Sequence, residues 1–235
     1  MNRWLALLTL TTLGCTDGKD TAAEDSDVVL EETEIEDTEV IDAEVIDTDP
    51  PRESSVVTVP ASAEAEQAGA SMDFGVYSRY QQLVPGSMVS AVAVEILELR
   101  LRRTPGKGSD GRTTSLPSVE LWLGTAAAED LSSTFADNLT GDEQQVFSEA
   151  VNLAAASGDP LLFDDLVVTV DPPFAYDPAQ GGLLVDLRIP TTGDNVLFDC
   201  KNDGSMPVVM SSAAGTPTES NNLSGCGMAL QLVVR

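Results

Sequence analysis

Over the last two thirds of the chain, apolar residues recur at every second position in short runs broken by Gly, Pro, Asn and Asp, as expected of half-buried strands joined by turns. The run at residues 119–123 is the clearest: Val119, Leu121 and Leu123 fall on one face, Glu120 and Trp122 on the other. Residues 166–170, 183–189, 196–198, 208–210 and 228–234 supply further short apolar runs. Residues 88–103 fit a helix as well, because Val89, Val92, Ala93, Ile96 and Arg100 could line one helical face. Alternation favours a strand. Val92, Val94 and Ile96 alternate, then Leu97, Leu99 and Leu101 alternate in the opposite phase against Glu98, Arg100 and Arg102. One inserted residue at a β-bulge produces that slip, so this segment reads as a long strand bent near Ile96 that passes from one sheet to the other. Together the runs predict an all-β fold, a two-sheet antiparallel β-sandwich of jelly-roll-like type, over residues 70–235.

The start of the chain has a different pattern. Arg3 precedes an apolar run over residues 4–13, followed by Gly14 and Cys15. A membrane-spanning helix needs about 20 apolar residues, so the shorter run is read as an export signal and excluded from the fold. Thr12-Leu13-Gly14-Cys15 resembles the end of a bacterial lipoprotein signal, with a small residue before the cysteine and Thr12 where that signal usually has leucine. The resemblance implies a signal peptide at 1–14, a lipid on Cys15, and a membrane partner reached through that lipid anchor. The rival is an ordinary secretory signal that leaves Cys15 as an unpaired thiol. The remaining cysteines are Cys200 and Cys226. An odd count is awkward in an exported protein, and lipidating Cys15 leaves a pair for a disulfide. That bridge would close a loop of about 26 residues and contribute roughly 3 kcal/mol. With no histidine and no Cys-x-x-Cys spacing, the two cysteines lack partners for a metal site.

Residues 16–53 carry sixteen acids against Lys19 and Arg52, and no aromatic residue. Such a stretch buries too little apolar surface to offset ordering entropy, so residues 15–69 are expected to be the lipidated cysteine and a disordered acidic linker. A random coil of this kind spans roughly 35 to 40 Å, and charge repulsion lengthens it. Glu39-Val40-Ile41-Asp42 recurs as Glu44-Val45-Ile46-Asp47, a low-complexity repeat without the Asp-x-Asp-x-Asp-Gly pattern of a calcium loop. The whole chain has a net charge of −27. Only Arg100, Arg102, Arg103, Lys107 and Arg112 gather, so nucleic acid is not an expected partner.

Several stretches of the β region look alike to a known group. They are residues 79–84 (Arg-Tyr-Gln-Gln-Leu-Val), 131–138 (Leu-Ser-Ser-Thr-Phe-Ala-Asp-Asn), 146–148, 173–178 and 182–186. In this order they resemble exported bacterial β-sandwich domains that often carry a PEP-CTERM surface-sorting tail. The group has no established activity, so the resemblance implies a fold and a surface location, outer membrane or cell surface, and no site residues. This chain ends instead on the strand-like residues 230–235.

The absence of histidine removes Ser-His-Asp and Cys-His catalysis. A carboxylate-dependent hydrolase acting on polysaccharide needs only two acids about 5 to 10 Å apart, and Glu120, Asp164, Asp165, Asp186 and Asp199 are available. Asp186 shares its strand face with Arg188, so a solvated ion pair accounts for it equally well. Asp164 and Asp165 sit where a turn or strand edge would place them. Beside Cys200, the loop bearing Asp199, Asn202 and Asp203 offers oxygen ligands for calcium or a sugar, although Asn-Asp-Gly is also ordinary turn chemistry. Trp122, pointing away from Leu121 and Leu123, is the candidate stacking platform for a surface glycan. No cofactor is called for. The leading expectation is an envelope-anchored lipoprotein that presents a β-sandwich for a binding or structural role, toward a surface glycan or another envelope protein. The alternatives are the hydrolase and a calcium-dependent carbohydrate-binding module.

Overall fold

The computed structural model describes residues 53–104, 112–155, 159–191, 193–222 and 225–235. Its strands are β1 (Ser55–Val59), β2 (Ala70–Asp73), β3 (Arg79–Val84), β4 (Val94–Leu101), β5 (Thr114–Thr125), β6 (Gln144–Leu153), β7 (Leu166–Tyr176), β8 (Leu183–Thr191), β9 (Leu197–Lys201), β10 (Val208–Ser211), β11 (Gly227–Met228) and β12 (Leu230–Val234). A single helical turn, α1 (Gly86–Val89), joins β3 to β4. The named strands pair antiparallel. They form a four-stranded sheet in the order β1-β12-β4-β7, a five-stranded sheet β10-β3-β8-β5-β6 and a three-stranded sheet β11-β9-β2. The fold is all-β, as the alternation predicts.

Period-2 patterning explains how the two larger sheets bury one another. Leu99 and Leu101 of β4, Val168 and Val170 of β7, and Leu230 and Leu232 of β12 share one core with Tyr80 of β3, Leu121 and Leu123 of β5, and Val185 and Leu187 of β8. Each fully buried aliphatic side chain contributes about 1.5 to 3 kcal/mol. The bulge lies at Leu97, which the ladders to both β12 and β7 skip. That extra residue keeps Ile96 and Leu99 both inside despite their odd spacing. The strand is shorter than residues 88–103, because α1 and the residues after it precede its start.

The chain does change sheets, but beyond the bulge. Past Leu101, the Asp199 amide donates to the Arg102 carbonyl at 3.0 Å and the Thr104 amide to the Leu197 carbonyl at 2.8 Å, while Arg103 bridges to Phe198. The Ala229 amide, between β11 and β12, donates to the Asp199 carbonyl at 2.9 Å. β9 therefore wedges between the extension of β4 and the strand continuing β12, and the sheet splits there. This split is why three sheets stand where two were expected.

The N-terminal boundary also needs correction. Among the described residues the domain includes β1, before Ala70: β1 pairs along its whole length with β12, and Val59 and Ala63 are fully buried. Residues 55–69 thus belong to the domain and not to the linker. Cys15 and residues 16–52 lie outside the described residues. Cys200 and Cys226 do form a disulfide, with Cα atoms 5.4 Å apart and 26 residues between them in sequence.

Candidate functional site

The densest polar chemistry lies on the outer face of the five-stranded sheet. Register places Gln81, Asp186 and Trp122 in one cross-strand row, and Arg79, Arg188 and Glu120 in the next. Alternation turns these side chains away from the core that Tyr80, Leu187 and Leu121 fill. Asp186 is the hub. Arg79 donates from Nε to Oδ1 at 3.1 Å and from Nη2 to Oδ2 at 2.6 Å, Arg188 donates from Nη2 at 2.8 Å, and Gln81 Nε2 donates at 3.1 Å. Aromatic rings flank the cluster, with the Arg79 guanidinium 4.4 Å from the Phe135 centroid and that of Arg188 4.6 Å from Trp122.

A strap of two crossing segments covers one side of this cluster. The 3-10 turn Phe135–Asn138 inserts Phe135, and Asn138 Nδ2 donates to Gln81 Oε1 at 2.8 Å. The second segment locks onto the first through Phe135 N to Thr218 O at 3.1 Å and Ser220 N to Ser133 O at 2.7 Å. Arg79 Nη1 reaches Pro217 O at 3.2 Å. Residues 79–84, 131–138 and 182–186 therefore meet in one network that holds the strap on the sheet. Sequence reasoning nominated none of Arg79, Gln81, Phe135 or Asn138 as chemistry. Their significance comes from cross-strand register, which no local pattern displays.

The network leaves Asp186 no catalytic freedom. Its side chain is 2 % exposed against 11 % for Arg79 and 21 % for Arg188, so the expected solvated pair is a buried double clamp. With both oxygens taken up by Arg79, Arg188 and Gln81, the carboxylate has no free face to offer a substrate.

Asp199, nominated as a ligand-loop residue, is instead the buried partner of Arg102. Arg102 Nη2 donates to Oδ2 at 2.7 Å with side chains 1 % and 0 % exposed, and the Ala68 amide donates to both Asp199 oxygens. Arg102 spends its other donors on Leu161 O and Glu66 O and lies 4.4 Å over the Phe163 ring. The ion pair sits where the sheet splits and ties two loops to β9. Asn202 and Asp203 are exposed on a turn in which the Ser205 amide donates to Asp203 Oδ1 at 3.0 Å and Gly204 takes φ +75°. Hydrogen bonds from Ser205 hold the Asp203 carboxyl below its usual range. Among the described residues, no group of three acids or cysteines gathers to hold a metal ion.

The other nominees also have structural partners. Trp122 does leave the core, but Arg188 already covers one ring face, which argues against a free stacking platform. Its buried Nε1 has no hydrogen-bond partner among the described residues. Asp165 accepts from the Arg103 amide and Nε, both at 2.6 Å, while Asp164 is exposed and Glu120 is half-buried on the Arg188 row. The supposed basic cluster thus dissolves. Arg102 and Arg103 are buried with acids, Arg100 pairs with Glu98, and Lys107 lies outside the described residues. At the end of β5, burial alone would raise the Asp142 carboxyl, but hydrogen bonds from Thr125 and Thr140 together bring it below its usual value. Asp165, Asp186 and Asp199 are thus each committed to an arginine, and the hydrolase reading gains no support.

Two surface grooves remain. One of about 440 Å³ is lined by Ala93, Val94 and Glu95 with Ala175, Tyr176 and Asp177. The other, of about 310 Å³, runs between β6 and β7. No protein-family model, curated protein or solved structure matches the chain.

Proposed function

We propose that this protein is an exported lipoprotein, anchored through a lipid on Cys15, that presents a non-catalytic β-sandwich at the cell envelope for binding. The pairing of Cys200 with Cys226 carries the reading, because it takes up two of the three cysteines in the sequence and Cys15 is the third. The Arg3 and apolar leader before Cys15 supports export, and the acid-rich segment after it supports a spacer that holds the domain off the membrane. The resemblance to exported β-sandwich domains points the same way. Against catalysis stand the absence of histidine and the engagement of Asp186, Asp199 and Asp165 in ion pairs with arginines.

Mass spectrometry of the N-terminus of protein purified from the envelope tests this directly. A mature chain beginning at a lipid-modified Cys15 is the expected result. Intact polypeptide retaining Met1 in the soluble cell interior overturns the reading.

A further inference from the structure

The two flanks of the sandwich are closed differently. Near β1, α1 packs against that strand and buries Val89 in the core. At the opposite flank the terminal strands β6 and β7 of the two large sheets lie side by side. They leave the groove of about 310 Å³, lined by Gln145, Val146, Phe147, Ser148 and Glu149 of β6 and by Thr169 of β7. Val146 and Phe147 pack against the core without being fully buried, so two partly buried apolar side chains stand among the polar ones that make up most of the lining. As the last strand of its sheet, β6 pairs with β5 alone among the described residues, where its outer backbone edge has no ladder partner.

Register decides what faces this opening. Phe147 pairs with Leu121 and Glu149 with Val119, two residues whose side chains point inward. Glu149 therefore projects from the core-facing side of an edge strand, beside Phe147, yet is exposed. An inward-pointing acid on an edge repels a neutral or acidic strand. A second copy of this acidic chain is disfavoured for the same reason.

Charge supplies the complementary half. From Thr113 to Leu187 the sequence contains thirteen acids and no Lys or Arg, and both β6 and β7 lie inside that stretch. Asp171 follows Thr169 on the same face of β7 and is exposed. Neither Asp171 nor Glu149 forms an ion pair among the described residues. The groove thus combines a backbone edge unpaired among the described residues, a half-buried Phe147 set among polar side chains, and acids without an ion-pair partner there.

We infer that β6 and the groove beside it receive an extended, cationic peptide segment of a partner protein by strand addition. Backbone pairing along β6 supplies affinity, an apolar side chain of the partner covers Phe147, and its Lys or Arg side chains meet Glu149 and Asp171. The inference rests on the binding reading above and names the partner's chemistry.

Fluorescence anisotropy of the full chain with three labelled strand-length peptides tests it; each has threonine at every second position, and the positions between, which share one face, alternate lysine with valine, glutamate with valine, or lysine with proline. The lysine–valine peptide is expected to bind saturably, and the other two about tenfold more weakly or not at all. Glu149→Arg is expected to weaken lysine–valine binding by about fivefold to tenfold, with an unchanged thermal melt. Glu129→Arg, at an exposed acid in the loop after β5, leaves binding unaltered. The inference is overturned by no saturable binding, by equal binding of the lysine–proline peptide, by indifference to Glu149→Arg, or by sedimentation showing the edge occupied by a second copy. Any of these with Cys15 lipidated leaves the envelope reading standing, whereas an unlipidated cytosolic chain that binds the peptide does the reverse.

Discussion

At the scale of single residues, the strongest constraint is the Arg102–Asp199 pair. Both charges are withdrawn from water and their remaining hydrogen-bonding positions are filled by Glu66, Ala68 and Leu161. Removing one partner strands the other charge. Arg102→Ala and Asp199→Ala are each expected to cost about 3 to 5 kcal/mol in urea unfolding, far more than Glu95→Ala at the exposed Glu95–Arg235 pair, for which about 1 kcal/mol or less is expected. Tyr80 and Tyr176 set the response to alkali. Burial raises both hydroxyls above the usual tyrosine range, that of Tyr176 to about 12 with help from the nearby Asp177 charge. Because these pKa values are higher folded than unfolded, the stability they carry is complete below about pH 10 and drains as pH climbs through the folded values. Tyr80 lies 2.7 Å from Gln82 Oε1 and accepts from the Met228 amide at 3.1 Å. Tyr80→Phe is expected to lose about 1 to 3 kcal/mol at neutral pH and to flatten the decline in unfolding free energy above pH 10.

Among the elements, β1 and β6 were the hardest to read, for one shared reason. An edge strand buries fewer side chains, so its alternation is weak. In β1 only Val59 is fully buried while Val56 is 55 % exposed, and the strand abuts an acid-rich tract that masks it. In β6, Val151 and Leu153 are buried, but Gln145, Ser148, Glu149 and Asn152 give no clear period. The central β12 alternates buried and half-buried positions, β5 does so around residues 119–123, and β8 is buried continuously over residues 183–187, so each stands out as an apolar run. Truncation checks the revised boundary. A chain starting at Glu53 is expected to melt with the full-length protein, whereas one starting at Ala65 loses at least about 2 kcal/mol through the exposed flank of β12 and the lost burial of Val59, read by thermal or urea unfolding.

For the whole molecule, charge dominates. A net charge of −27 with only twelve basic residues opposes compaction by self-repulsion, and salt screens it over about 8 Å at physiological ionic strength. Raising salt from about 10 mM to about 150 mM is therefore expected to increase the melting temperature; a fall would place the surviving ion pairs above self-repulsion in importance. The same imbalance opposes self-association and favours a basic partner, which connects the acidic flank at β6 and β7 to a binding role.

What the amino-acid order alone determined is local or additive: strand periodicity, the phase slip at Leu97, the pairing of Cys200 with Cys226 and the sign of the charge. Each depends on neighbours a few residues away or on totals along the chain. What only the tertiary structure decided is which acids meet which arginines. Asp199 and Arg102 are 97 residues apart and Asp186 and Arg79 are 107 apart, and they meet through strand order and a split sheet. A carboxylate written beside a turn looks like a ligand until long-range register hands it a buried guanidinium, because burial and pairing are properties of the packed sheets and not of the adjoining residues.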